Sequence, residues 1–333
     1  MAKWKSHKQA YSEALRYIWN RQQGTITSFK TPWPKVNDAG INGFEWNSLV
    51  VIGGRPGTGK TLIKDQMIRE AYTHNKGHNI NVLEFSFEMI GRVSKQREFS
   101  SVIGKSYKYI CSADDNDKIT DAEIAKLQAY AKQVTSIKNF PVDIVETPCS
   151  VNEFIATVKK YMDTNAIEDP NTGMKTYINT VITIDHSYLF KTEGNESKTD
   201  MLYNLGEALT ALKRAFPICF IVLSQLGRHV ETPERNEDGK YGNYILETDI
   251  LGGDALMQHA DLVIGVNRPG KRNIKHYGPS RYPIADSNVL VFHFIKVRNG
   301  DTRFSFFEAK FDQMRVDEMA TPQANTGKLS INI

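Results

Sequence analysis

The 333 residues suffice for one large domain or two small ones around a full hydrophobic core, so no disulfide or metal staple is required for stability. Forty-two basic against 38 acidic residues leave a near-balanced charge of +4, which permits a polyanionic partner and excludes a histone-like chain. Cys111, Cys149 and Cys219 are scattered with no Cys/His cluster for zinc, and the chain has neither an apolar signal core nor a run near the roughly 20 residues that cross a bilayer, so a soluble, unexported, cytoplasmic protein with no membrane partner is expected.

Residues 9–22 place Tyr11, Ala14, Leu15, Ile18 and Trp19 on one helical stripe. That stripe must dock either on its own domain or on a neighbouring subunit, and periodicity does not choose between them. From Ser48 onward, short runs rich in Val, Ile, Leu and Phe alternate with helical segments. The strands read SLVVIGG, INVLEFSF, PVDIVET, TVITIDH, PICFIVLS, DLVIGV, NVLVFHFIK and RFSFFEA. Such runs suit strands buried on both faces, and helices between them imply an α/β fold with a mostly parallel sheet. Ser150 and Glu153 form a capping box ahead of Phe154, Val158 and Met162, and Leu202, Leu205, Leu209 and Leu212 mark another helix. Asn299-Gly300 joins the last two strands, which predicts an antiparallel hairpin at the sheet edge. Residues 191–199 and 231–247 read as mobile loops.

Residues 54–61, GRPGTGKT, follow a strand and precede a helix over 60–74, the context a phosphate-binding loop requires. Gly54, Arg55, Pro56, Gly57, Thr58, Gly59, Lys60, Thr61 and Leu62 are therefore the candidate nucleotide contacts. Backbone N–H groups of the loop and the helix N-terminus face phosphate, Lys60 reaches the β- and γ-phosphates of ATP or another NTP, and the Thr61 hydroxyl ligates Mg²⁺. Asp185, ending the TVITIDH strand, is expected to hold Mg²⁺ through water. Hydrolysis also needs a carboxylate to orient the attacking water. Glu88 is the candidate because it lies just past its strand, whereas Glu84 lies inside it.

These motifs, taken in order, resemble the motor domain of DnaB-type replicative helicases. GRPGTGKT is similar to that family's phosphate loop, FSFEM (85–89) to its FSLEM, ITIDH to its Walker B strand and LSQLGR (223–228) to its LSQLNR. QHADLVIGVNR (258–268) is similar to its Q-D-A-D strand, and KVRNG (296–300) to its KxRNG. The resemblance runs over roughly residues 24–312. It implies a RecA-like P-loop NTPase with an antiparallel edge hairpin, preceded by an amphipathic linker helix that packs on the next subunit. It divides the chain into a linker helix (1–23), a motor (24–320) and a flexible tail (321–333).

The resemblance further implies that Glu88 is the catalytic base, that Gln225 senses the γ-phosphate, and that Lys296 and Arg298 form a finger acting on the neighbouring subunit's nucleotide. A finger in trans implies a ring, hexameric in the family. The expected activity is ATP-driven, 5′-to-3′ translocation on single-stranded DNA and fork unwinding, with primase or a helicase loader as further partners. A motor with so little ahead of it suits a phage or mobile-element replisome in a bacterial cell.

The chain departs from the pattern where the family's DNA loop carries Arg-Glu-Ser-Gly. Leu251, Gly252, Gly253 and Asp254 stand there, and His259 replaces an acid. Gly252 and Gly253 remain as a turn that presents backbone N–H groups to DNA phosphates, with Arg228 and the basic residues around Lys213 and Arg214 as further contacts. The alternatives are a RecA- or RadA-like recombination ATPase and a nucleotide-gated clamp or scaffold on single-stranded DNA.

Overall fold

A computed structural model describes residues 4–112, 118–236, 239 and 241–324. The expected tail over 321–333 lies outside the described residues from 325 onward. Among the described residues no helix is long and apolar enough to cross a membrane.

Helix α1 (His7–Gln22) opens on a Ser6–Gln9 capping box. None of its residues is buried, and Tyr11, Leu15 and Trp19 are each about two-thirds exposed at 70%, 67% and 66%. Its polar side meets the rest of the chain: Tyr17 Oη donates to Glu45 (2.6 Å), and Arg21 to Ser28 Oγ and Ile41 O (3.0 Å each). Among the described residues, the apolar stripe is left uncovered.

After α2 (Pro34–Ala39), the main sheet begins with β1 (Ser48–Gly54), followed by α3 (Lys60–His74) and β2 (Ile80–Ser86). Helices α4 (Gly91–Ile103), α5 (Tyr107–Cys111) and α6 (Asp121–Thr135) lead to β3 (Val142–Val145) and α7 (Val151–Thr164). A small pair, β4 (Ile167–Glu168) and β5 (Lys175–Thr176), precedes β6 (Asn179–Asp185), α8 (Lys198–Ala215) and β7 (Ile218–Gln225). Next come α9 (Gly253–His259), β8 (Leu262–Asn267), and a second small pair, β9 (His276–Tyr277) with β10 (Tyr282–Pro283). The chain closes the sheet with β11 (Val289–Val297), β12 (Arg303–Lys310) and β13 (Arg315–Glu318).

The main sheet has the order β13-β12-β11-β8-β1-β7-β6-β2-β3. Strands β3 to β8 in that order are mutually parallel, and β11, β12 and β13 are antiparallel additions. The antiparallel strands at the sheet edge are as expected, and β13 extends them by pairing outside the β11–β12 hairpin; its four residues of mixed charge carry too weak a pattern to announce a strand. One expectation changes. The PVDIVET strand is not covered on both faces, because β3 is the opposite edge and leaves Val142 exposed.

Successive strand residues point to opposite faces, and each face has its own helices. Leu49 and Val51 of β1 face α7 and α8, whose Phe154, Val158, Leu205 and Leu209 are fully buried. Val50 and Ile52 face α3 through Ile63, Met67 and Ala71. Ser150 and Glu153 cap α7 reciprocally, as the spacing predicts. The parallel strands therefore end together on one edge, where a crevice at the switch in strand order is the usual ligand site of an open α/β sheet.

Candidate active site

The turn from β1 into α3 is the centre of that edge. Gly57 and Gly59 adopt φ of +75° and +91°, a region that L side chains avoid, and this turns the loop's N–H groups inward at the helix start. Thr58 Oγ donates to Arg55 O (2.7 Å), and Lys60 Nζ donates to Gly54 O (2.6 Å) and Arg55 O (3.2 Å). Burial pushes the Lys60 ammonium below its ordinary range, and Arg55 adds to this, while Asp185 and Glu88 oppose it. Both carboxylates therefore lie within electrostatic reach of the loop lysine.

The register explains the convergence. Gly54 pairs with Gln225, and Ser86 with Asp185, so four strand ends deliver Lys60, Glu88, Asp185 and Gln225 to one crevice. Asp185 is 2% exposed, and among the described residues neither of its carboxylate oxygens has a hydrogen-bond partner. An unpartnered buried carboxylate is costly unless something else satisfies it. Together with the Thr61 hydroxyl in the first turn of α3, Asp185 would offer oxygen donors only, a set that fits a hard cation such as Mg²⁺. Mg²⁺ takes one or two protein ligands plus phosphates and water, and among the described residues there is no cluster of three potential metal ligands to suggest a closed cage.

The carboxylates within and just past β2 have different environments. Glu84 is buried against Lys64 Nζ (2.9 Å), which also meets Asp65 (2.7 Å). Burial alone would raise the Glu84 carboxyl, but Lys64 and Lys95 hold it below its ordinary value. It is committed to an ion pair. Glu88 is exposed in the turn after the strand, its N–H directed at Asp185 O (3.3 Å).

His186, which the sequence reading passed over, links two of these groups. Gln225 Nε2 lies 3.0 Å from His186 Nε2, so the amide donates and the imidazole accepts. Burial pushes His186 below 6.5, with Lys60 adding to the shift and Glu88 and Asp185 opposing it, which favours the neutral ring that this bond needs. Its position directly after Asp185 was the available signal.

Three further groups border the loop. The Arg268 guanidinium lies 4.2 Å over the Phe311 ring, whose edge is 3.3 Å from where a Gly59 Cβ would stand; the Lys271 ammonium is 2.8 Å from the same point on Gly57. A cavity of about 160 Å³ between Arg55, Arg268, Lys271 and Arg272 opens beside the loop. Arg268 ends the QHADLVIGVNR motif and was legible; Phe311, beyond the last matched motif, carried no local mark.

The other expected residues lie apart. Lys296 and Arg298 sit at the far end of β11, where Val297 pairs with Leu262 and Leu262 with Val50. Val50 to Gly54 is four steps, roughly 13 Å at strand rise, so the pair occupies the opposite edge of the sheet from its own phosphate loop. Lys296 Nζ donates to Met257 O (2.5 Å), and burial, with Arg298 nearby, lowers its ammonium from the ordinary range. Arg228 is exposed. Gly252, at φ +67°, starts α9 ahead of Gly253, and Leu251 N donates to Gln225 O (2.8 Å), so the glycine turn hangs directly on the Gln225 strand end. Lys213 is not a free cation for DNA: it is buried and paired with Asp261. Arg214 remains exposed.

A model of the DnaB-like helicase C-terminal domain family matches residues 30–315. The chain is 23% identical over 312 residues to the replicative DNA helicase DnaB of Geobacillus stearothermophilus, covering 89% of this chain and 60% of that protein. It is 25% identical over 282 residues to a probable replicative DNA helicase of Trieres chinensis, covering 83% and 53%. The chain thus spans somewhat over half the length of these relatives. The solved ATPase domain of G40P superposes with a TM-score of 0.73 at 18% identity, covering 93% of this chain and 98% of that one. A DnaB-like replicative helicase, solved in a study of its interactions with primase, superposes with a TM-score of 0.72 at 17% identity, covering 92% and 68%. At these identities the structural likeness speaks for the RecA-like fold alone.

Proposed function

Because the chain belongs to the DnaB-like helicase C-terminal domain family, we propose that it is the ATP-hydrolysing motor of a replicative DNA helicase, acting as a homo-hexameric ring that moves 5′ to 3′ on single-stranded DNA and opens a fork. The observation that carries this reading is the split of catalytic groups between two edges. Lys60, Thr61, Asp185, Glu88 and Gln225 share one crevice, while Lys296 and Arg298 lie on the opposite edge of the same sheet. Such a site is complete only when a second copy supplies the missing cations.

In this mechanism the loop from Gly54 to Thr61 cradles the ATP phosphates, and Lys60 leaves its backbone partners for the β- and γ-oxygens. Thr61 and Asp185 would hold Mg²⁺, which when bound would offset charge on the phosphate oxygens. Glu88 orients and deprotonates the attacking water. Gln225 registers the γ-phosphate and, through His186 on one side and Leu251 on the other, links its loss to the Gly252–Gly253 turn. That turn and Arg228 contact DNA phosphates without reading sequence. The Arg268–Phe311 shelf offers the nucleobase a flat stacking face. Lys296 and Arg298 neutralise charge developing at the neighbour's nucleotide, an effect worth about 10³ to 10⁵ in rate in well-studied NTPases. Primase or a loader would bind the assembled ring.

The test is unwinding of a fork with a 5′ single-stranded tail alongside ATP hydrolysis. ATP turnover stimulated by DNA, together with strand separation, supports the reading. Turnover that never separates such a fork, or filaments in place of rings on electron micrographs, would turn it toward a recombination ATPase.

A further inference from the structure

The edge of the sheet that carries Arg298 also holds Asp261, at the entrance to β8. Its carboxylate is three-quarters enclosed, and both oxygens are committed. Oδ1 pairs with Arg298 Nε at 3.2 Å. Oδ2 accepts from Leu49 N (2.9 Å) and meets Lys213 Nζ, which is itself buried and also donates to His259 O (3.3 Å). The backbones are tied as well: Asp261 N donates to Leu49 O (2.8 Å), and Arg298 N donates to Asp261 O (2.9 Å).

The way the guanidinium is held matters. Asp261 takes Nε, the inner nitrogen, whereas the end of the fork presents Nη1 and Nη2, and among the described residues neither has a protein partner. A phosphate or carboxylate on another molecule can therefore bind the outward pair bidentately. The anchor is also rigid. Leu49 begins β1, the strand whose other end is Gly54 of the phosphate loop, and Lys213 comes from α8, so the outward arginine is braced against the strand that holds its own subunit's nucleotide loop.

We propose that Asp261 is a positioning residue that fixes Arg298 in the orientation needed to reach the neighbouring subunit's nucleotide. This rests on the trans reading of Arg298 given above, and it adds a residue which acts only through Arg298 and touches no substrate.

The experiment measures kcat and KM for ATP, and the thermal unfolding midpoint, of the full chain with Mg²⁺ and single-stranded DNA. The variants are Asp261→Asn, Arg298→Ala and the double substitution. Asp261→Asn is expected to lower kcat roughly tenfold to a hundredfold, the scale of an ångström-level misplacement, with KM unchanged and no further loss in the Arg298→Ala background. Mixing Asp261→Asn subunits with Lys60→Ala subunits is expected to restore turnover, because an intact loop then faces an intact finger; a defect confined to a subunit's own fold is not rescued that way. Full or increased kcat in Asp261→Asn, equal loss in both backgrounds, or no rescue on mixing overturns the positioning role. If Arg298→Ala itself keeps full kcat, the trans reading fails instead. Should the amide variant not fold, Asp261→Glu, which keeps the charge but moves it by one methylene, is read in the same cycle.

Discussion

Glu84 and Glu88 lie four positions apart at the end of one strand, and their surroundings give them opposite uses. Glu84 is sealed against Lys64, while Glu88 stands exposed past the strand end, facing the crevice that holds Lys60 and Asp185. Glu88→Gln is therefore expected to retain ATP binding and to lower turnover by about 10² to 10⁴, the usual contribution of a general base. Parallel nucleotide-binding and phosphate-release assays check this, and unchanged turnover would remove Glu88 from the role. His186 supplies a pH dependence. Its folded-state value lies below the ordinary 6.5, so the neutral ring and its bond from Gln225 persist through the ordinary histidine range and are lost only as pH falls through the depressed value. The kcat profile is expected to drop on that acidic side, and His186→Asn, which cannot titrate, is expected to flatten this limb. A limb that survives the substitution belongs to another group.

At the scale of elements, α3 and β2 are joined by a charge cluster in an otherwise apolar layer. Lys64 is 1% exposed and holds both Asp65 and Glu84. Removing one partner strands a buried carboxylate, so Lys64→Met is expected to cost about 3–5 kcal/mol in denaturant unfolding. Adding Glu84→Gln should recover part of that loss; no recovery would mean that the packing, not the charge, was responsible. The elements themselves were largely legible. The strand runs, the 60–74 helix, the Ser150 cap and the Leu202–Leu212 stripe all appear where their periodicity puts them. What was not legible was β13, too short and too charged to announce itself, and the buried state of Lys213 and Arg235, whose partners Asp261 and Asp249 lie 48 and 14 residues further on.

For the whole molecule, the stripe on α1 stands out as an apolar face left uncovered among the described residues. Covering Leu15, Ile18 or Trp19 would stabilise an assembly by about 1.5–3 kcal/mol each, more than an isolated 16-residue helix gains from its own propensity. We propose that this face packs on a neighbouring copy. Leu15→Glu with Trp19→Glu is expected to shift sedimentation from ring to monomer in the presence of ATP while leaving the monomer's unfolding midpoint nearly unchanged. A lowered midpoint with assembly intact would return α1 to its own domain.

The phosphate loop was determined by sequence alone, because a tight glycine turn between a strand and a helix is a local construction. Asp185 likewise ends an apolar run and so emerges at a strand terminus, whereas Gln225 was marked only by the resemblance of LSQLGR to the family motif. Only the tertiary structure decided which of these termini share an edge. Parallel pairing brings Glu88, Asp185 and Gln225 to the loop, whereas antiparallel pairing of β11 sends Lys296 and Arg298 to the other side. Strand direction and register arise from contacts between residues far apart in the chain. For that reason His186 against Gln225, Phe311 beside Gly59 and Asp261 beneath Arg298 became visible only in three dimensions.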